Sequence, residues 1–240
     1  MPNKSLKENV YAHHPRWFVP QIDLRVLPEL GGLERSPMPR RQTPFLPGLY
    51  YHIYNRGNNR QSIFFQPENY LYFLRGVKRY IAPLAKVVAY CLMPTHYHML
   101  VRVEPKTSEF SKNSEVSVSS AMMRLSVSYT KAINKRFERI GSLFQGQFQA
   151  KPIQNYPHLL NLCVYIHTNP VKDGLVAAPE DWIYSNYLEW LSQRNGTLID
   201  REFIQENFGS PTEYQTLVMD YVKTRYLPDE VRKYLQSFED

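Results

Sequence analysis

The sequence predicts an α+β protein with a ferredoxin-like, split βαβ core on an antiparallel sheet. Three observations carry that expectation. Segments of strand and helix period follow one another in the order strand, helix, strand, strand, helix, strand, helix. The two middle strands are parted only by Pro94-Thr95, a turn that fits a hairpin. The flanks differ in kind, with eight prolines in residues 1–47 and an acidic stretch at the end. The expected organisation is therefore a proline-rich extended arm (1–47), a core over about residues 48–170 and an acidic end with helical patterns.

Proline fixes φ and removes a donor, so the arm is expected to be extended, with Arg35, Arg40 and Arg41 free to touch phosphate. Order is expected from Leu49–Tyr54, rich in β-branched and aromatic residues, and to stop at the turn-forming Asn55–Asn59. Asn69–Ile81 carries Tyr70, Phe73, Leu74, Val77 and Ile81 at helical spacing. Lys86–Met93 is a continuous apolar run for a buried strand, and Tyr97–Val103 is its hairpin partner. Thr107–Val118 is a Ser-rich loop, and Ala121–Phe137 is a helix with Met122, Leu125, Tyr129, Ile133 and Phe137 on one stripe. Leu143–Ile153 reads as a further strand. Pro157–Thr168 reads as a short helix that Pro170 and Gly174 stop. The aromatic group Trp182, Tyr184, Tyr187 and Trp190 is expected to pack in the core.

Composition narrows the function. At 240 residues and 43% hydrophobic, the chain can bury a core and is not a disordered polymer. No apolar run approaches the roughly 20 residues that a bilayer demands. No apolar stretch of the signal-peptide kind follows the charged start. Cys91 and Cys163 cannot build a disulfide framework and read as buried thiols of a reducing cytoplasm. A secreted or membrane protein is not expected. Residues 1–154 hold 22 basic against 9 acidic side chains, and residues 180–240 hold 6 against 12. A basic body points to a polyanionic partner such as nucleic acid.

His96-Tyr97-His98 is the most informative triplet. On a strand the two imidazoles share a face, about 7 Å apart at Cα, and can chelate one divalent ion while Tyr97 points away. A third donor is expected from the 157–168 helix. There His158, Asn161, Tyr165 and Asn169 fall at steps of 3, 4 and 4, a polar stripe opposite Leu159, Leu162, Cys163 and Ile166. Tyr165 and Asn169 then project toward one point. The same spacing also serves a packing tyrosine and a helix cap before Pro170. Spacing alone does not select a nucleophile among 18 tyrosines. His52 reads as a packed strand histidine and His167, off the stripe, as solvent-facing. A zinc site of Cys91, Cys163, His96 and His98 lacks the CxxC spacing.

Four segments resemble a known family: Tyr51–Asn58 (YHIYNRGN), Ala89–His98 (AYCLMPTHYH), Gly141–Gly146 (GSLFQG) and Tyr165–Val171 (YIHTNPV). In this order they are similar to the single-tyrosine transposases of the HUH endonuclease superfamily, and nearest the REP-associated tyrosine transposase branch. The likeness covers roughly residues 48–190, and so implies a catalytic domain over 48–190 with 191–240 as an acidic, mainly helical extension. It implies an enzyme that cleaves and rejoins hairpin-bearing single-stranded DNA through a 5′-phosphotyrosine. It further implies Tyr165 as nucleophile, with His96, His98 and Asn169 as ligands of Mg²⁺ or Mn²⁺. A homodimer, cytoplasmic and nucleoid-associated when on DNA, is implied as well.

The loop carrying Arg56, Asn58, Asn59 and Arg60 is the expected DNA contact, joined by Lys151. After Gly146 the chain departs from its relatives, with Gln147 and Gln149 where cations are usual. A domesticated repeat-processing nuclease and a non-catalytic nucleic-acid binder of the same fold are the other readings.

Overall fold

The structure, a computed structural model, describes residues 44–105, 117–224 and 232–233. Arg35, Arg40 and Arg41 of the arm, and most of the 107–118 loop, lie outside the described residues. The first strand, β1 (Tyr50–Arg56), is followed by a 3-10 turn at Asn58–Arg60 and by helix α1 (Pro67–Tyr80). Strands β2 (Ala85–Leu92) and β3 (His96–Val103) come next, then α2 (Val118–Arg136), β4 (Gln149–Pro152) and α3 (Tyr156–Lys172). Short helices α4 (Tyr187–Trp190), α5 (Arg201–Phe208) and α6 (Pro211–Thr224) complete the order. The strands lie β2-β3-β1-β4 with every neighbour antiparallel, the split βαβ arrangement that the sequence predicts.

Period-two alternation gives the sheet two apolar faces. Tyr51, Ile53, Tyr97, Met99 and Val101 pack with Phe73 and Val77 of α1 and with Leu125, Tyr129 and Ile133 of α2. Val88, Cys91 and Leu100 pack with Leu162, Cys163 and Ile166 of α3 on the other side. The hairpin forms as expected, with Met93 and His96 exchanging backbone bonds around Pro94-Thr95. Helix α1 begins at Pro67 because Asn69 reaches back, its Oδ1 accepting from the N–H groups of Phe65 and Gln66 at 3.0 Å each. Helix α2 starts three residues before the expected Ala121, because Ser117 and Ser120 cap one another.

Three further expectations are corrected. Strand β1 runs on through Asn55 and Arg56, paired with Tyr97 and His96, so the turn falls at Asn58–Arg60. The expected strand 143–153 shrinks to four residues. Gly146 sits at φ 75°, and the Ser142 hydroxyl donates to the Phe144 carbonyl, so the chain bends before it can pair. Helix α3 does not stop at Pro170 but carries it inside, ending where Gly174 takes φ 70° and the Leu175 N–H bonds the Pro170 carbonyl.

Nor is α3 amphipathic. Every residue from Leu162 to Pro170 is buried, because Phe203 and Phe208 of α5 and Tyr214 and Val218 of α6 cover the side that the sheet does not. Truncating a side chain such as Ile166 would therefore cost about 2–5 kcal/mol. His167, expected in solvent, is fully buried between the Tyr214 hydroxyl (2.6 Å) and Asn186 Oδ1 (2.9 Å). Tyr187 and Trp190 join the same cluster, as expected, and Cys91 and Cys163 are buried free thiols. Among the described residues no helix is long and apolar enough to cross a membrane.

Candidate active site

A cleft of about 530 Å³ opens where the start of β3, the end of β1 and the last turns of α3 converge. His96, His98, Tyr165 and Asn169 all line it, together with Arg56, Arg60, Lys172 and Asp173. Alternation on β3 turns His96 and His98 toward α3. Tyr97 goes to the opposite face, where its ring meets Phe73 at 5.0 Å and Phe144 at 6.2 Å. The two imidazole centroids stand 5.1 Å apart. The Tyr165 ring meets His98 edge-on at 5.7 Å. One helical turn on from Tyr165, Asn169 lines the same cleft as His96.

The surroundings set the charge states. Burial, with His96, His52 and Lys172 adding like-charge repulsion, holds His98 well below the usual histidine range. Burial also lowers His96, although Asp173 and the Asn169 amide oppose it. Both rings are thus neutral near pH 7 and offer lone pairs. Each has Nδ1 in a hydrogen bond, His96 with Thr95 Oγ1 and His98 with His52 Nε2, both at 3.0 Å, so Nε2 offers the lone pair wherever Nδ1 carries the proton. Asn169 Nδ2 is buried with no acceptor in hydrogen-bonding geometry, so the pull of this amide on the Tyr165 hydroxyl is electrostatic rather than a formed bond.

Desolvation pushes Tyr165 up to about 12, with the Asn169 amide working against it, so the phenol is protonated at rest. Lys172 Nζ lies 5.3 Å over the Tyr165 ring and brings positive charge to the side where an anion would develop.

The expected DNA-contacting residues divide. Arg56 and Arg60 line the cleft, and Arg56 Nε donates to Gln145 Oε1 at 2.6 Å. Asn58 and Asn59 are exposed on the 3-10 turn outside its lining, with Asn59 and Arg60 at φ 53° and 56°. Lys151 lies beyond the lining too, on β4 directly opposite His52. Gln145 and Gln149 line the cleft in their place. Sequence reasoning missed Lys172 and Asp173, although their one-turn spacing after Asn169 was the signal that could have found them. Among the described residues no group of three His, Cys, Asp or Glu side chains gathers as a metal site, and the Asn169 amide lines the cleft beside the two histidines.

The chain resembles proteins of matching architecture. A Haemophilus influenzae (strain Rd) protein assigned as a REP-associated tyrosine transposase is 28% identical over 111 residues, 42% of this chain. The match spans 58% of that relative's own length. The structure of a REP-associated tyrosine transposase bound to a REP hairpin superposes with a TM-score of 0.52 at 18% identity. That superposition covers 68% of this chain and 94% of the other, a likeness of fold. Residues 46–169, from just before β1 to Asn169, match the family model described as "Transposase IS200 like". With over half its length in that match, and with the folded elements in the order its motifs implied, the chain belongs to the IS200-like transposase family.

Proposed function

We propose that this protein is a metal-dependent tyrosine transposase that cleaves and rejoins hairpin-bearing single-stranded DNA through a 5′-phosphotyrosine. One observation carries the reading: Tyr165, His96, His98 and Asn169 meet in a single cation-rimmed cleft although they come from two elements far apart in the chain.

The donor set fits a divalent ion. Two neutral imidazoles have Nε2 available, and a buried amide with an unsatisfied end needs only a half-turn to present its oxygen there. His96, His98 and Asn169 would hold Mg²⁺ or Mn²⁺, which when bound withdraws charge from the scissile phosphate.

The remaining work falls to the side chains. Arg56, Arg60 and Lys172 hold the polyanion at the cleft, where the phosphate term supplies most of the affinity. The packing of α3 aims Tyr165, so little orientation is left to find during reaction. The Tyr165 oxygen loses its proton and attacks phosphorus. A P–O(Tyr) bond forms as the P–O3′ bond breaks, and the departing O3′ takes up a proton to become a 3′-OH. Attack by a 3′-OH on the phosphotyrosine reverses the exchange, so strands rejoin without an energy-rich cofactor. The likeness to the family also makes a homodimer the proposed assembly, which sedimentation velocity with and without hairpin DNA tests.

Incubating the protein with labelled hairpin-bearing single strands and Mn²⁺, then resolving products on a denaturing gel, tests the reading. A slow-migrating protein–DNA band that EDTA abolishes is expected. Cleavage with no such band contradicts it.

A further inference from the structure

His52 is fully buried on β1, one diagonal step from His98 on β3, since it is Tyr54 that stands directly opposite His98 in the register. The three rings form a stack on the α3 face. His52 lies 5.0 Å from Tyr54 and 5.1 Å from His98 between centroids, and Tyr54 lies 6.2 Å from His98, with planes within 28° throughout. His52 Nε2 meets His98 Nδ1 at 3.0 Å. A neutral imidazole carries one N–H, so the side on which this bond places the proton decides which nitrogen of His98 keeps its lone pair.

Resting on the reading of His98 as a metal ligand, we infer that His52 is the positioning residue for His98. Through Nε2 it accepts the His98 Nδ1–H, which fixes the tautomer with the lone pair on Nε2 and holds the ring against Tyr54 at the angle the cleft needs. A ligand histidine takes its orientation and basicity from such an outer partner. Here that partner is another imidazole rather than a carboxylate, which keeps the buried pair uncharged and avoids placing an anion in the sheet's apolar face.

Mn²⁺ affinity in the absence of DNA, read by electron paramagnetic resonance, tests the assignment without reference to cleavage. Compared with the wild type, His52→Phe keeps the stacked volume but removes the acceptor, and Mn²⁺ affinity is expected to fall about 10–100-fold, whereas His52→Gln, whose Oε1 can accept, stays within about fivefold. Thermal unfolding of each variant separates loss of the acceptor from loss of the fold. Should His52→Phe not fold, long-range ¹H–¹⁵N spectra of the wild-type protein loaded with Zn²⁺ as a diamagnetic probe answer the same question. They are expected to show His98 protonated at Nδ1 with a ¹⁵N–¹⁵N coupling to His52 Nε2. Unchanged Mn²⁺ affinity in a folded His52→Phe protein, or His98 protonated at Nε2, overturns the assignment. Absence of Mn²⁺ binding by the wild type overturns the metal reading itself, and the assignment with it.

Discussion

The Tyr165 ring stands edge-on to the His98 ring, with centroids 5.7 Å apart and planes at 75°. One ring belongs to a strand and the other to a helix, so their distance is set by how α3 sits on the sheet. That seat is rigid because α3 is enclosed by strands on one side and by α5 and α6 on the other. The site is thus assembled by packing, with chemistry at the edge of the core.

Arg56 offers a test of the proposed DNA binding at the cleft. Its guanidinium lines the cleft and is oriented by Gln145. Arg56→Ala is expected to weaken hairpin DNA binding about 3–10-fold and to lower the slope of log affinity against log salt by about 1. Fluorescence anisotropy over a salt series measures both, and an unchanged slope removes Arg56 from the phosphate contacts.

Gly57 bears on the loop that carries Arg56 and Arg60. Its N–H bonds the Thr95 carbonyl at 2.8 Å, and a Cβ there would collide with the Gln61 carbonyl oxygen. Its φ of −64° suits any residue, so the obstacle is space rather than backbone strain. Gly57→Ala should cost about 1–3 kcal/mol by overpacking, visible in urea unfolding, and should weaken DNA binding by displacing both arginines. A variant as stable as the wild type would show that the loop yields freely.

His167 makes stability depend on pH. Burial holds it down at about 4 against an ordinary 6.5, with its Asn186 bond only partly opposing. The unfolded chain therefore binds a proton at a higher pH than the folded one, and this contribution to stability is complete above about pH 6.5 and fades as pH falls toward 4. Between pH 7 and 5 the wild-type, metal-free protein should lose about 2 kcal/mol more than His167→Gln, because losses from other histidines cancel in the comparison. Equal losses in urea titrations at the two pH values would place the protonation elsewhere.

Much of this architecture was legible in the sequence, for physical reasons that also explain the misses. The His96-Tyr97-His98 alternation and the Pro94-Thr95 hairpin are local, so period and turn chemistry sufficed to place both imidazoles on one face. The i, i+4 relation of Tyr165 and Asn169 is local too, and it holds. The polar stripe failed because helices beyond residue 200 cover that side of α3, and no local pattern reports a cover supplied by Phe203 and Tyr214. His167 was misjudged on the same ground, since its partner Tyr214 lies 47 residues away, whereas His52 is the packed strand histidine that was expected, its partner His98 lying 46 residues on. The shortened β4 turns on Gly146 taking positive φ, a freedom that glycine has without announcing its use.

The most direct measurement is mass spectrometry of the protein trapped on its own cleaved DNA. After digestion with protease and nuclease, a 5′-phosphonucleotide mass is expected on the peptide containing Tyr165, absent from Tyr165→Phe protein that still binds the hairpin. A nucleotide mass on another side chain of the cleft, such as Tyr54, or efficient cleavage by Tyr165→Phe with no adduct at all, would contradict it.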